Sequence, residues 1–175
     1  MRLLIVRHAI AESRDSFMAT GESDEARPLT KEGMEKMADH AAAMHALFPE
    51  ADQFLVSPLR RAQQTAEILI KFYKNVPMEP SPLLKPTVDP VKTVSMLSEQ
   101  ENNRCLLLVG HQPHLGDLVG YLLTGQVRPM FDIKKGAIVV LDFDGQLKPG
   151  RAHFQCLMQP KTLRRLCEKI HGGHR

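Results

Sequence analysis

The sequence predicts an α/β fold, a three-layer α/β/α sandwich around a mostly parallel central sheet with an antiparallel edge. Short apolar runs alternate with stretches of helical periodicity along most of the chain, the signature of strand–helix–strand units. Two of the runs, Leu3-Leu4-Ile5-Val6 and Cys105-Leu106-Leu107-Leu108-Val109, are apolar throughout, as strands covered on both faces require. One late pair of runs flanks Asp144-Gly145, a hairpin signal, and supplies the antiparallel edge. With 175 residues the chain is expected to form one domain, residues 1–175, large enough to bury a real core.

Each element has a local cause. Residues 2–6 read as the first strand and 11–29, polar and broken by Gly21 and Pro28, as a loop over its end. Thr30 is a good N-cap, Gly33 lies just inside, and Met34, Met37, Ala38, Ala41, Met44 and Leu47 follow helical spacing until Pro49. The three methionines read as core filler. Phe54-Leu55-Val56 is a second strand closed by Ser57-Pro58, and the next helix, with Pro in its first turn, carries Ala62, Ala66, Leu69, Ile70 and Tyr73 on one stripe. Prolines at 77, 80, 82, 86 and 90 make the following stretch irregular, with a short helix over 90–99. The run 104–109 leads to Pro113 and a helix over 114–123 that Gly125 ends. Strands are predicted at 136–143 and near 152–158. From Lys161 to Gly172-Gly173 the tail reads as a basic amphipathic helix.

Composition excludes several classes. The chain is 43% hydrophobic and 25% charged, as in ordinary globular proteins, and its net charge of +3 argues against a dedicated nucleic-acid binder. No apolar run approaches the roughly 18 residues that span a bilayer, and Arg7-His8 follows the first apolar run too soon for a secretion signal, so no membrane partner is expected. Three cysteines, Cys105, Cys156 and Cys167, form no CxxC pair; neither a disulfide framework nor a metal site is expected, and a cytoplasmic location is.

The chemistry is expected where strands end. The first strand discharges into Arg7-His8-Ala9 and the run 104–109 into Gly110-His111, and open α/β folds hold their ligands at that carboxyl edge. A guanidinium suits an oxyanion, and an imidazole is a nucleophile or proton carrier near neutral pH. A third strand end, Ser57-Pro58-Leu59-Arg60-Arg61-Ala62-Gln63-Gln64-Thr65, adds arginines beside a helix N-terminus, where an anion is already favoured. Together these point to one anion-binding pocket that takes phosphate or another oxyanion.

With Arg27-Pro28-Leu29-Thr30-Lys31-Glu32-Gly33 these segments complete an ordered set, and over residues 1 to about 120 the chain resembles the histidine phosphatase superfamily, with its phosphoglycerate-mutase-like fold. The short length without a lid insertion resembles the branch of phosphohistidine phosphatases. Ala9 departs from the family's usual Gly but is also small. The resemblance implies a phosphatase that needs no cofactor and no metal, with His8 as nucleophile, Arg7 and Arg61 binding the phosphoryl oxygens, and His111 hydrogen-bonding to them. The motif register selects Arg61 over Arg60. Arg27 is a further candidate phosphate ligand from the loop. Two arginines and a protonated imidazole are expected to neutralise the spread charge of phosphoryl transfer.

The same resemblance places an acid for ester leaving groups near Leu83-Leu84-Lys85-Pro86, where this chain has none; Asp89 suits a helix cap. An alkoxide leaving group needs a proton, whereas an imidazole, with a pKa of about 6.5, leaves more easily. The expected partner is therefore a phosphohistidine-bearing signalling or phosphotransfer protein. The alternatives are a small-molecule phosphomonoesterase using Asp89, Glu12 or a substrate-borne acid, and a non-catalytic phosphate-binding module. Outside the motifs, His40 and His45 are expected to be solvated, His114 to lie on a helix face, and His171 and His174 to fray. The stripe Lys161, Arg164, Arg165 and Lys169 is read as a solvated helix face or a guide for an acidic partner.

Overall fold

The computed structural model describes residues 1–101 and 104–172. One six-stranded sheet runs through the molecule in the order β3-β2-β4-β1-β5-β6. Its strands are β1 (Arg2–Arg7), β2 (Gln53–Val56), β3 (Met78–Pro80), β4 (Cys105–Gly110), β5 (Ile138–Asp142) and β6 (His153–Met158). The first four are mutually parallel, and β5 is antiparallel to both β1 and β6. The helices are α1 (Arg14–Met18), α2 (Lys31–Leu47), α3 (Arg60–Leu69), α4 (Pro90–Ser98), α5 (His114–Thr124) and α6 (Pro160–Gly172).

The period-two alternation of the strands divides the core. Leu4, Val6, Phe54, Val56, Leu107 and Val109 point to one face, beneath α2, α3 and α6. Leu3, Ile5, Leu55, Leu106 and Leu108 point to the other, beneath α4 and α5. Both faces are covered, which is why β1 and β4 are uniformly apolar.

The helix signals operate as expected at several ends. Thr30 accepts the Gly33 amide at 2.9 Å, Asp89 accepts that of Val91 at 2.9 Å, and Gly125 closes α5 with φ 75°. Four expectations need correction. Pro58 lies outside α3, which begins at Arg60, and α3 ends at Leu69, so Tyr73 is held from a turn by its hydroxyl on the Phe48 carbonyl at 2.8 Å. On α2 the buried residues are Gly33, Met37, His40, Ala41, Ala43 and Met44, whereas Met34, Ala38 and Leu47 are exposed. His40 is a core residue rather than a solvated one, and His45 is half-buried edge-on to Tyr73. Asp144-Gly145 is no two-residue hairpin, because the connection reaches across α5: Gly150 N–H bonds the Tyr121 carbonyl, Ala152 N–H that of Leu122, and Leu147 is buried.

Two short elements lay hidden in stretches read as irregular. Helix α1 interrupts the 11–29 loop, and β3 sits in the proline-rich stretch as an exposed edge strand, where Pro80 need not donate to a ladder. His174 and the side chain of His171 lie outside the described residues. Among the described residues no helix is long and apolar enough to cross a membrane.

Candidate active site

Three parallel strands end side by side and in register. Val56 of β2 pairs with Val109 of β4, and Arg7 of β1 pairs with Gly110. The residue after each strand, Ser57, His111 and His8, therefore emerges at one edge of the sheet. Backbone bonds continue the ladder past the strands: Ser57 N–H bonds the Val109 carbonyl at 2.9 Å and His8 N–H that of Gly110 at 3.0 Å. The His8 and His111 rings lie 4.9 Å apart between centroids, tilted by 51°.

His8 is oriented by its own backbone. Its Nδ1 donates to the Ala9 carbonyl at 2.7 Å, which leaves the Nε2 lone pair free in the neutral ring. The Ala9 peptide is anchored in turn, its N–H donating to Thr65 Oγ1 at 3.0 Å while the Thr65 hydroxyl donates to the Arg61 carbonyl at 2.7 Å. Burial first, then Arg61 and Arg7, push the His8 pKa down to about 3.

His111 is fixed by Ser57, whose Oγ lies 2.8 Å from Nε2. The opposite ring nitrogen, Nδ1, is buried and unpartnered. Burial, followed by the competing His8 ring and the charge of Arg61, lowers its pKa to about 2. The expectation of a protonated imidazole is thus not met in this state: desolvation among cations keeps the ring neutral.

The arginines converge from separate elements. Arg7 donates from Nη1 to the Ile133 carbonyl at 2.7 Å. Arg61, 2% exposed, donates from Nη1 to the Asp24 carbonyl at 2.8 Å and from Nη2 to the Asp24 carboxylate at 3.2 Å. The Nε atoms of both are buried without a protein partner. Arg60, one helical step of about 100° away, turns outward and pairs with Glu67 at 3.0 Å. Arg27 is also buried, and binds the Asp24 carboxylate at 2.8 Å and the Glu12 carbonyl at 2.7 Å.

Two arginine Nε groups and one imidazole nitrogen are thus buried without a partner around His8. Each such group costs about 1–3 kcal/mol unless an acceptor meets it. A tetrahedral oxyanion is the acceptor this cluster suits.

Residues 3–86 match the histidine phosphatase superfamily (branch 1). The phosphohistidine phosphatase SixA of Escherichia coli (strain K12) is 30% identical over 170 residues, covering 94% of this chain and 97% of that protein. The chain belongs to the histidine phosphatase superfamily. The structure of the protein histidine phosphatase SixA complexed with tungstate matches with a TM-score of 0.77 at 30% identity, over 93% of this chain and 99% of that one. The α-ribazole phosphatase from Shigella flexneri shares the fold, with a TM-score of 0.67 at 18% identity over 91% of this chain and 97% of that one. The protein is a SixA-type member of the superfamily and a phosphatase.

The family motifs have visible physical roles here. Gly33 is required because a Cβ there would stand 2.0 Å from the Ile10 carbonyl oxygen. Gln64 accepts the Leu29 N–H at 2.7 Å, which ties the loop to α3 beside Thr65. At the N-terminus of α3 the Arg60 amide is taken by the Glu25 carbonyl at 2.9 Å, so the loop occupies part of the expected anion position.

The carboxylates are placed unlike general acids. Asp89 caps α4, and Glu12 exposes its side chain while its carbonyl holds Arg27. Lys85 pairs with Glu25 at 2.7 Å. Asp24, which sequence reasoning missed, binds Arg14, Arg27 and Arg61. Burial alone would raise its pKa, but hydrogen bonds from Arg27 and Arg14 and the charge of Arg61 outweigh this and hold it at about 2. The available signal was its position three residues before Arg27. His114 is likewise no surface residue; it is buried, with Nδ1 on the Val88 carbonyl at 2.9 Å and Nε2 3.2 Å from Thr93 Oγ1.

Proposed function

We propose that this phosphatase hydrolyses phosphohistidine on a partner protein through a covalent intermediate on His8, without a metal. Neutral His8 attacks phosphorus through Nε2; the new N–P bond forms as the N–P bond of the substrate breaks, and the departing imidazole, which carries a proton on its other nitrogen, takes the electron pair and leaves neutral. Water then attacks the phosphoryl group on His8: the O–P bond forms as the His8 Nε2–P bond breaks, its electron pair returns to Nε2, and phosphate leaves after passing the surplus proton to solvent. Arg7, Arg61 and His111 Nδ1 bind the phosphoryl oxygens, and Arg27 adds positive charge from the loop. The spread charge of the transition state is met by fixed donors, the main requirement of phosphoryl transfer.

The observation that carries the substrate class is Asp24. The carboxylate that pairs with Arg27 and Arg61 is ionised, so it holds no proton for an alkoxide at neutral pH. An imidazole leaving group tolerates that situation far better than an ester. SixA's name as a phosphohistidine phosphatase supports the same reading. The cysteine usage fits a cytoplasmic protein.

The test compares a phosphohistidine peptide with a phosphoserine peptide and a sugar phosphate, using the wild type and His8→Ala. Efficient turnover of the phosphohistidine peptide alone, lost in the variant, is expected. Ester turnover at a comparable rate overturns the substrate assignment in favour of a small-molecule phosphomonoesterase. Phosphate binding without any turnover would make the chain a binding module.

A further inference from the structure

Beside the His8 pocket runs a groove of about 590 Å³ that begins at Arg7. Its lining includes the apolar Ala9, Ile10 and Met37. Lys36 of α2 lines it, as do Lys134 and Lys135 of the loop before β5 and Lys161 and Arg164 of α6. All five of these cations are exposed. Asp39 and Asp132 are the carboxylates among the lining residues. The whole chain carries a net charge of only +3, so this is a local concentration of positive charge.

The groove is also pre-formed. Gln159, just before α6, accepts the Lys134 N–H at 3.2 Å and donates to the Asp132 carbonyl at 2.7 Å, which ties the loop to the helix. Leu163 and Cys167 seat α6 in the core under α2. Lys36 pairs with Glu32, and Arg164 with Glu168 at 3.6 Å. Lys134, Lys135 and Lys161 have no carboxylate partner among the described residues.

Building on the phosphohistidine reading, we propose that this groove docks an acidic segment of the substrate protein next to its phosphorylated histidine. The distribution of charge selects a chain rather than a small anion. A small anion is bound by cations that converge on one point, whereas these come from three separate segments, α2, the loop before β5 and α6, around a lining that includes apolar residues. That pattern suits a segment in which Asp or Glu residues are interleaved with apolar side chains. Continuity with Arg7 means that a histidine presented to His8 brings its neighbouring residues over the groove. Complementary charge of this kind accelerates encounter and fixes register more than it adds affinity.

Two synthetic phosphohistidine peptides that differ only in acidic or basic flanks, together with free phosphohistidine, test this. For the wild type at low salt, kcat/KM is expected to favour the acidic peptide by about tenfold or more, and to lose that preference as ionic strength rises. In the double variant Lys161→Glu, Arg164→Glu, the preference is expected to vanish or invert while turnover of free phosphohistidine is unchanged; the latter also reports intact folding. Equal turnover of both peptides by the wild type, or a preference untouched by the charge reversals, overturns the docking proposal and leaves the phosphohistidine assignment standing. Failure to turn over free phosphohistidine and both peptides, alongside hydrolysis of esters, overturns that assignment and the docking proposal with it.

Discussion

Ser57 and His111 stand at the ends of neighbouring parallel strands, with Ser57 Oγ 2.8 Å from His111 Nε2. With the hydroxyl donating, the ring proton sits on Nδ1, the buried nitrogen that has no protein partner. Fifty-four residues of sequence separate the two, and the pairing of β2 with β4 brings them together.

Ser57→Ala leaves His111 Nε2 buried without a partner and its tautomer unspecified. It is expected to cost about 1–3 kcal/mol of stability. It is also expected to lower kcat by about tenfold or more with a smaller change in KM. Ser57→Thr, which keeps the hydroxyl, should restore part of the loss. Steady-state kinetics on a phosphohistidine peptide and thermal melts check both effects; a wild-type kcat in Ser57→Ala would refute the orienting role.

The two adjacent arginines should separate cleanly. Arg61→Ala removes a buried donor from the pocket and is expected to cost about 10²–10³-fold in kcat. Arg60→Ala breaks an exposed pair with Glu67, worth about 0–1 kcal/mol, and should leave turnover unchanged. The measurement is turnover of the same peptide by each variant.

Burial keeps His8 and His111 neutral, with pKa values of about 3 and about 2. Ring resonances of these two histidines should show no titration midpoint between about pH 5 and 8, where an ordinary imidazole titrates. An unfolded imidazole takes up its proton near pH 6.5, so between there and the folded pKa the unfolded state binds more protons. The contribution of each ring is therefore present above about pH 6.5 and lost as pH falls, at up to ~1.4 kcal/mol per pH unit. Chemical denaturation from pH 7 to 4 should show declining stability, and His111→Asn should flatten the decline.

Gly33→Ala drives a methyl into the Ile10 carbonyl, at 2.0 Å, in the segment that follows His8. It is expected to destabilise the protein by about 1–3 kcal/mol. Gly21→Ala makes a useful contrast, because its φ of +86° brings strain but nothing lies within 4 Å. Only the first should also reduce turnover, since it displaces the chain beside the nucleophile. Melting temperature and kcat measured together separate the two.

Much of this protein is written locally. Uniformly apolar runs announced β1 and β4 because strands buried on both faces tolerate little else, and Thr30, Asp89 and Gly125 act on backbone groups within a few residues. The register of Arg-Ala-x-Gln-Thr pointed to Arg61, and the helical step does turn Arg60 to solvent. Other features depend on partners distant in sequence. The burial of His40 and His114 was invisible because their neighbours, Gly136 and Thr93, come from other elements. Edge strand β3 exists only because β2 offers it a ladder, and the β5–β6 connection lengthens to cover α5. Composition showed a net charge of +3, but not that Lys134, Lys135 and Lys161 meet along one groove. The protonation of the imidazoles was likewise decided by tertiary structure, since desolvation depends on what surrounds a ring and not on the residues beside it in the chain.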